Sequence, residues 1–268
     1  MNVMSETPAK PDRIVRWAAV ALLGLALLVL AMAVLAGPGY RADLVALSTA
    51  FSLLRWGAWT GIAVGVLSVL GLVLAMVRRR LRDAGFLAVA VLLCGAVVVP
   101  IRGLQSDAQA YPPIHDVTTD LADPPQFAAI PPRVYDPLRV PARSEEMEAM
   151  TPQQRWRAYH EQAYGDLSTL ELGLAPANAL AAAEAVARDM GWEIVATDPS
   201  AGRLEATATT AWFGFKDDVV LRVHPAAGGG SEVDVRSVSR IGISDLGANA
   251  KRIREFLERL EMEAGTSS

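Results

Sequence analysis

The chain contains a single cysteine, Cys94, and it falls inside a long apolar run. That leaves no disulfide framework and no Cys/His metal site. A basic surplus is also missing: 25 Lys and Arg stand against 29 Asp and Glu, for a formal net charge of −4. Composition therefore offers no electrostatic footprint for nucleic acid. There is no P-loop, nucleophile elbow, dinucleotide fingerprint or zinc motif, so the usual routes from motif to enzyme class are closed and no cofactor is expected. Finally, none of the three long apolar runs encloses an Asp, Glu, His, Lys or Arg. An intramembrane proton relay or ion path normally shows one.

The runs themselves are the main positive signal. They extend over Ala18–Ala36, Gly57–Val77 and Ala84–Ile101. Each is close to the roughly 20 residues that cross a hydrocarbon core about 30 Å thick. Everything after them is polar enough for one independent domain. The fold class is thus a membrane anchor of three transmembrane helices plus an α+β domain, an antiparallel meander with helices packed on one face. The predicted division is residues 1–104 as anchor, 105–150 as a proline-rich strap and 151–268 as the globular domain.

Basic residues flanking the runs predict the orientation. Lys10, Arg13 and Arg16 precede the first run, and Arg78, Arg79, Arg80 and Arg82 sit between the second and third. The first loop has only Arg41 and Arg55, and Arg102 alone lies close beyond the third run. The tail and the arginine-rich loop are then cytoplasmic, and the C-terminal domain is on the outer side. In a Gram-negative cell that is a multi-pass inner-membrane protein with a periplasmic domain. Trp17, Trp56 and Trp59 fall at run ends, where indoles favour the interface. The first run, which ends in Val34-Leu35-Ala36, also has features of a cleaved signal peptide, but its apolar core is longer than the usual one. Residues 40–55 read either as an interfacial helix or as an ordered loop. Gly61, Gly65, Ser68 and Gly71 supply a small-residue packing face, within the anchor or between subunits.

Pro112, Pro113, Pro124, Pro125, Pro131, Pro132, Pro137 and Pro141 make the strap extended. Ile114, Val117, Phe127, Ile130, Val134 and Tyr135 make it too apolar for a freely solvated linker, so much of it should lie against the domain. Thr151-Pro152 predicts a capped helix running to about Tyr164. A short strand over 169–174 follows, then a helix opened by Pro176 and closed by Gly191. Four strands are predicted over 192–197, 203–211, 219–224 and 232–238, joined by turn-rich segments. A last helix starts near Ser244 or Asp245, with Lys251–Glu255 and Arg254–Glu258 pairs on its outer side. Strand alternation sets an apolar face (Leu204, Ala206, Val219, Leu221, Val233, Val235) against a solvated one (Glu205, Thr207, Arg222, His224, Glu232, Asp234, Arg236). On the latter, Arg222 is expected opposite Asp234, and His224 opposite Glu232.

One segment has a signature. Arg236-Ser237, Ser239-Arg240, Gly242, Ser244-Asp245, Gly247, Asn249 and Arg252 form a strand–loop–helix pattern. With Gly191-Trp192, Phe215, Asp217-Asp218-Val219 and the strap stretch His115-Asp116-Val117-Thr118-Thr119-Asp120, it resembles the family called domain of unknown function 1499. The resemblance runs over about residues 112–260. It implies no established activity, so no catalytic residue is carried over.

The chemistry of that segment suggests a candidate anion site: Arg236, Ser237, Ser239, Arg240, Ser244, Lys251 and Arg252. Guanidinium donors beside a helix start favour phosphate or carboxylate. The competing reading pairs the arginines with Asp217, Asp218 and Asp245 as an internal network. For catalysis, of the three histidines His115, His160 and His224, His115 with Asp116, Asp120 and Asp123 could supply a base or a hard-cation site, and Ser237 or Ser239 with His115 a nucleophile pair, but the sequence gives them no geometry. The expected role is a membrane-held module for binding or cell-envelope maintenance. Its partners would be the bilayer and either an anionic lipid headgroup or an envelope protein. A hydrolase of an envelope lipid or glycan, and a purely structural assembly protein, are the alternatives.

Overall fold

The computed structural model describes residues 10–131 and 140–266. Pro132, Val134, Tyr135 and Pro137 of the expected strap lie outside the described residues. The chain divides into two compact units, one of residues 1–106 with 212–214 and the other of 107–211 with 215–268.

The first unit is built from α1 (Lys10–Arg41), α2 (Leu47–Val77) and α3 (Leu81–Ala110). All three are long and apolar enough to cross a membrane. Their surface is hydrocarbon, with Leu28, Val66, Leu70, Leu92 and Val99 all exposed. A patch of that extent is the lipid-facing side of an anchor. Small side chains meet inside: Ala26, Val64, Ala90 and Cys94 form one cluster, Ala19, Ala75, Ala84 and Leu87 another. A Cβ on Gly61 would stand 2.9 Å from Val98 and 3.2 Å from Val29. One on Gly71 would press on Leu87 at 3.2 Å, and Ser68 is fully buried. The small-residue face therefore serves packing inside the anchor. Residues 47–56 are the first turns of α2 rather than a separate interfacial helix. A tight turn joins α2 to α3. Arg78 N–H donates to the Leu74 carbonyl at 3.0 Å, Arg79 to Met76 at 2.9 Å and Arg80 to Ala75 at 2.8 Å. Arg79 takes the left-handed conformation, φ 55°.

The second unit is α+β. Its sheet is antiparallel, in the order β1 (Asp116–Thr118), β6 (Ser231–Ser239), β5 (Lys216–Pro225), β4 (Arg203–Thr209), β3 (Glu193–Asp198), with β2 (Leu170–Leu172) also on β6. The register sets Arg222 opposite Asp234 and His224 opposite Glu232, as expected from the sequence. Helices α6 (Pro176–Asp189) and α7 (Ala248–Thr266) cover the apolar face. Leu180, Ala183, Val186, Ile253, Phe256 and Leu260 pack there on Leu204, Val219, Leu221, Val233 and Val235. Trp192 stacks on Phe256 with ring centroids 5.1 Å apart. Between β1 and β2 lie a one-turn α4 (Glu145–Glu148) and α5 (Pro152–Tyr164), the latter opened by a Thr151/Gln154 capping box. The outer pairs on α7 differ from the expected ones: Arg254 pairs with Asp166, and Arg259 with both Glu255 and Asp189.

The opposite face is not solvated as the alternation alone suggests. Glu205, Thr207 and Asp234 are buried on it, because strap residues 119–130 fold over that side. Strand β1, three residues long, is the part of the strap that enters the sheet. Three residues are too few to show a period of two, which is why it reads from sequence only as extended chain.

Candidate functional site

The period of two along β6 decides the layout of the signature residues. Arg236 points to the strap-covered face, and Ser237 and Ser239 point to the helix-covered face. The seven residues of the candidate anion site therefore do not converge on one point.

On the helix side, Ser237 donates to Asn249 Oδ1 at 2.7 Å, and Asn249 Nδ2 donates to Ser239 Oγ at 2.9 Å and to the His115 carbonyl at 2.9 Å. Arg252 reaches in from α7 to Ser237 at 3.0 Å and to Asp217 at 2.5 Å. This group is closed and buried. Asn249 ties β6, α7 and the strap together with one side chain. Ser244 donates to the Pro112 carbonyl and accepts from the Leu246 amide. Asp245 caps α7, accepting from the Gly247 amide at 3.0 Å and from Asn249 at 2.7 Å. Burial pushes its carboxyl above the ordinary range, despite those two amides. Lys251 is exposed.

On the strap side, guanidinium and carboxylate groups alternate. Arg236 forms a two-pronged pair with Asp116, at 2.9 and 2.7 Å, and lies under Phe127 at 6.0 Å. Arg222 holds Asp123 at 2.7 Å and Asp120 and Asp234 at 2.9 Å each. Desolvation pushes Asp120 up, but its Asp123 and Ala122 amides and Arg222 outweigh it, so its carboxyl sits below its ordinary range. Glu205 is fully buried. Its carboxylate accepts from three consecutive strap amides: Ala128 at 2.7 Å, Ala129 at 3.0 Å and Ile130 at 2.7 Å. Such a run of amides is an anion nest, here filled by the protein's own side chain. Arg240 makes a two-pronged pair with Asp218 at 2.9 and 2.8 Å and touches Thr207 at 3.2 Å. Its side chain remains 42% exposed, against 19% for Arg236 and 12% for Arg252.

The histidines and acids of the strap are similarly engaged. His115 Nδ1 lies 3.2 Å from the Ile243 carbonyl, and Asp116 is taken by Arg236. The hydroxyls of Ser237 and Ser239 bond to Asn249, so no Ser–His–Asp relay is assembled from them. Among the described residues, no group of three or more His, Cys, Asp or Glu is placed to hold a metal ion. His160 is buried, and its Nε2 accepts from the Thr118 amide at 3.1 Å, locking β1 to α5. Sequence reasoning missed Glu205 and His160. The available signal was the apolar character of the strap at Phe127 and Ile130: it predicts a segment lying against the domain, and a covering segment needs its amides satisfied.

No curated protein matches the chain. A family profile does, over residues 116–260, from β1 to within α7, and so includes both faces of the polar network. On that match the chain belongs to the family described as Protein of unknown function (DUF1499).

Proposed function

We infer that the protein is a multi-pass inner-membrane protein that presents its α+β domain in the periplasm as a binding module, and that recognition occurs at Arg240. The orientation is supported by the arginines of the α2–α3 turn and the tail, against the sparser charge of the other loop. The recognition reading is carried by one observation: Arg240 is the most exposed arginine of the network, 42% against 30% for Arg203, 27% for Arg222, 19% for Arg236 and 12% for Arg252. An incoming anionic group exchanges with Asp218 for the guanidinium fork without opening the core. Exposed Ile243, in the adjoining loop, offers an apolar flank for an amphiphilic ligand. The favoured ligand is an anionic lipid headgroup or an anionic group of an envelope protein.

The test is native mass spectrometry of the full chain, extracted gently from a bacterial envelope. A retained mass that disappears in Arg240→Ala, with the fold intact by circular dichroism, supports the module and names its ligand class. Retention that is indifferent to Arg240→Ala sinks this assignment. A single engineered cysteine at Ser200, labelled from outside by an impermeant maleimide in Cys94→Ala protein, tests the orientation. Protection of Ser200→Cys in intact cells with opened outer membranes would reverse it.

A further inference from the structure

A second charged site lies in the helical anchor and takes no part in the α+β domain. At the end of the bundle where α1 begins and α2 turns into α3, Arg16, Arg80, Leu81, Arg82, Asp83 and Phe86 line an open cavity of about 620 Å³. Small-molecule sites fall within about 300–1,000 Å³. Three guanidinium groups face one carboxylate. That carboxylate is spent: Asp83 is buried and holds Arg80 at 2.7 Å. Arg16 and Arg82 have no carboxylate partner among the described residues, so the cavity keeps two uncompensated cations. The wall beside them is apolar, from half-exposed Phe86 and strongly exposed Leu81.

Depth fixes the ligand. The apolar spans begin at Arg13 in α1, end at Val77 in α2 and resume at Leu81 in α3. In a bilayer crossed by these helices, the cavity sits at one hydrocarbon boundary, the level of phospholipid phosphates. Cations beside an apolar wall at that level match an amphiphile with a phosphate head and acyl tails.

We propose that this cavity binds the phosphate headgroup of an anionic phospholipid, with Arg16 and Arg82 on the phosphate and Phe86 and Leu81 along its acyl chains. Arg80, tied to Asp83, positions the wall. An arginine-rich turn also serves to orient a protein during insertion, so the test removes orientation from the readout. Full-length Arg240→Ala protein, which excludes any lipid held by the domain, is placed in nanodiscs of equal phosphatidylglycerol and phosphatidylcholine. Both leaflets then have the same composition. Lipid carried into the gas phase is counted by native mass spectrometry.

Phosphatidylglycerol should be retained in clear excess over phosphatidylcholine. Arg16→Gln with Arg82→Gln should lower its affinity by about thirtyfold, about fivefold for each arginine at a membrane surface. Arg102→Gln, at the far end of α3, should leave it unchanged. Equal retention of the two lipids overturns the proposal on the parent protein alone, even if the double variant fails to fold. Retention unaffected by the double variant overturns it as well. Displacement of the lipid by 10 mM inorganic phosphate would assign the cavity to the free anion and overturn the lipid reading.

Discussion

Replacing Glu205 with glutamine removes a charge and turns one of two acceptor oxygens into a donor. In the folded domain that carboxylate takes the amides of Ala128, Ala129 and Ile130 at 2.7–3.0 Å, with Arg203 also 3.2 Å away. Hydrogen bonds to a charged acceptor each contribute about 1.5–3 kcal/mol. The glutamine carbonyl can keep the amides on one side, while its NH2 confronts an amide donor on the other. Arg203 is partly solvated, so its share is discounted to a few tenths. The net loss falls on strap closure and comes to about 3 kcal/mol, roughly a hundredfold in the opening equilibrium. Hydrogen exchange of the full chain in detergent reads this directly. Amides 128–130 should exchange about a hundred times faster, while those of α6 on the opposite face keep their rates. Exchange at 128–130 within about threefold of the parent, in protein still folded, would refute the assignment of these amides to Glu205.

Other expectations follow from the same geometry. Asp116→Asn leaves Arg236 largely desolvated and half-paired and should lower stability by about 3 kcal/mol, seen as a drop in the thermal midpoint. The double change with Arg236→Met should recover much of that loss. His160 is held below the ordinary histidine range by burial first, and protonating Nε2 would also displace the Thr118 amide, although the nearby Asp116 carboxylate works in the other direction. Its folded value is therefore the lower one. The stability it contributes is complete above pH about 6.5 and declines as pH falls toward the folded value. Urea midpoints between pH 7.5 and 5 should show that slope, and His160→Gln, which still accepts from Thr118, should flatten it. Gly61→Val drives carbon into Val98 and Val29 and should destabilise the anchor by about 1–3 kcal/mol, measured by thermal unfolding in micelles. An unchanged midpoint would mean that the helices are not packed through that glycine.

Much of this architecture is legible in the sequence because it follows local rules. The apolar runs had to be helices, since lipid leaves their amides no other partner. Pro176 and Thr151-Pro152 start helices where they stand, and the two pairs expected across the strands, Arg222 with Asp234 and His224 with Glu232, both form in the β5–β6 ladder. What stayed hidden is long-range. The sequence shows Arg236 and Ser237 as neighbours, and the strand puts them on opposite sides of the sheet. It shows Glu205 as one more polar residue on a solvated face, and only the folded strap reveals what lies over it. The candidate site was thus readable as a list of chemical groups and unreadable as a place.

The pairing of β1 with β6 has a consequence for biogenesis. Asp116 and Arg236 are 120 residues apart, and the strand that Asp116 begins has no other neighbour in the sheet. As the chain leaves the ribosome, the three apolar helices are complete long before β6 exists. The strap must then wait, unpaired, until nearly the whole chain has been made. Large sequence separation slows closure. During that interval β1 has no strand to join, so truncation anywhere before Ser239 would leave an anchored but unfinished sheet.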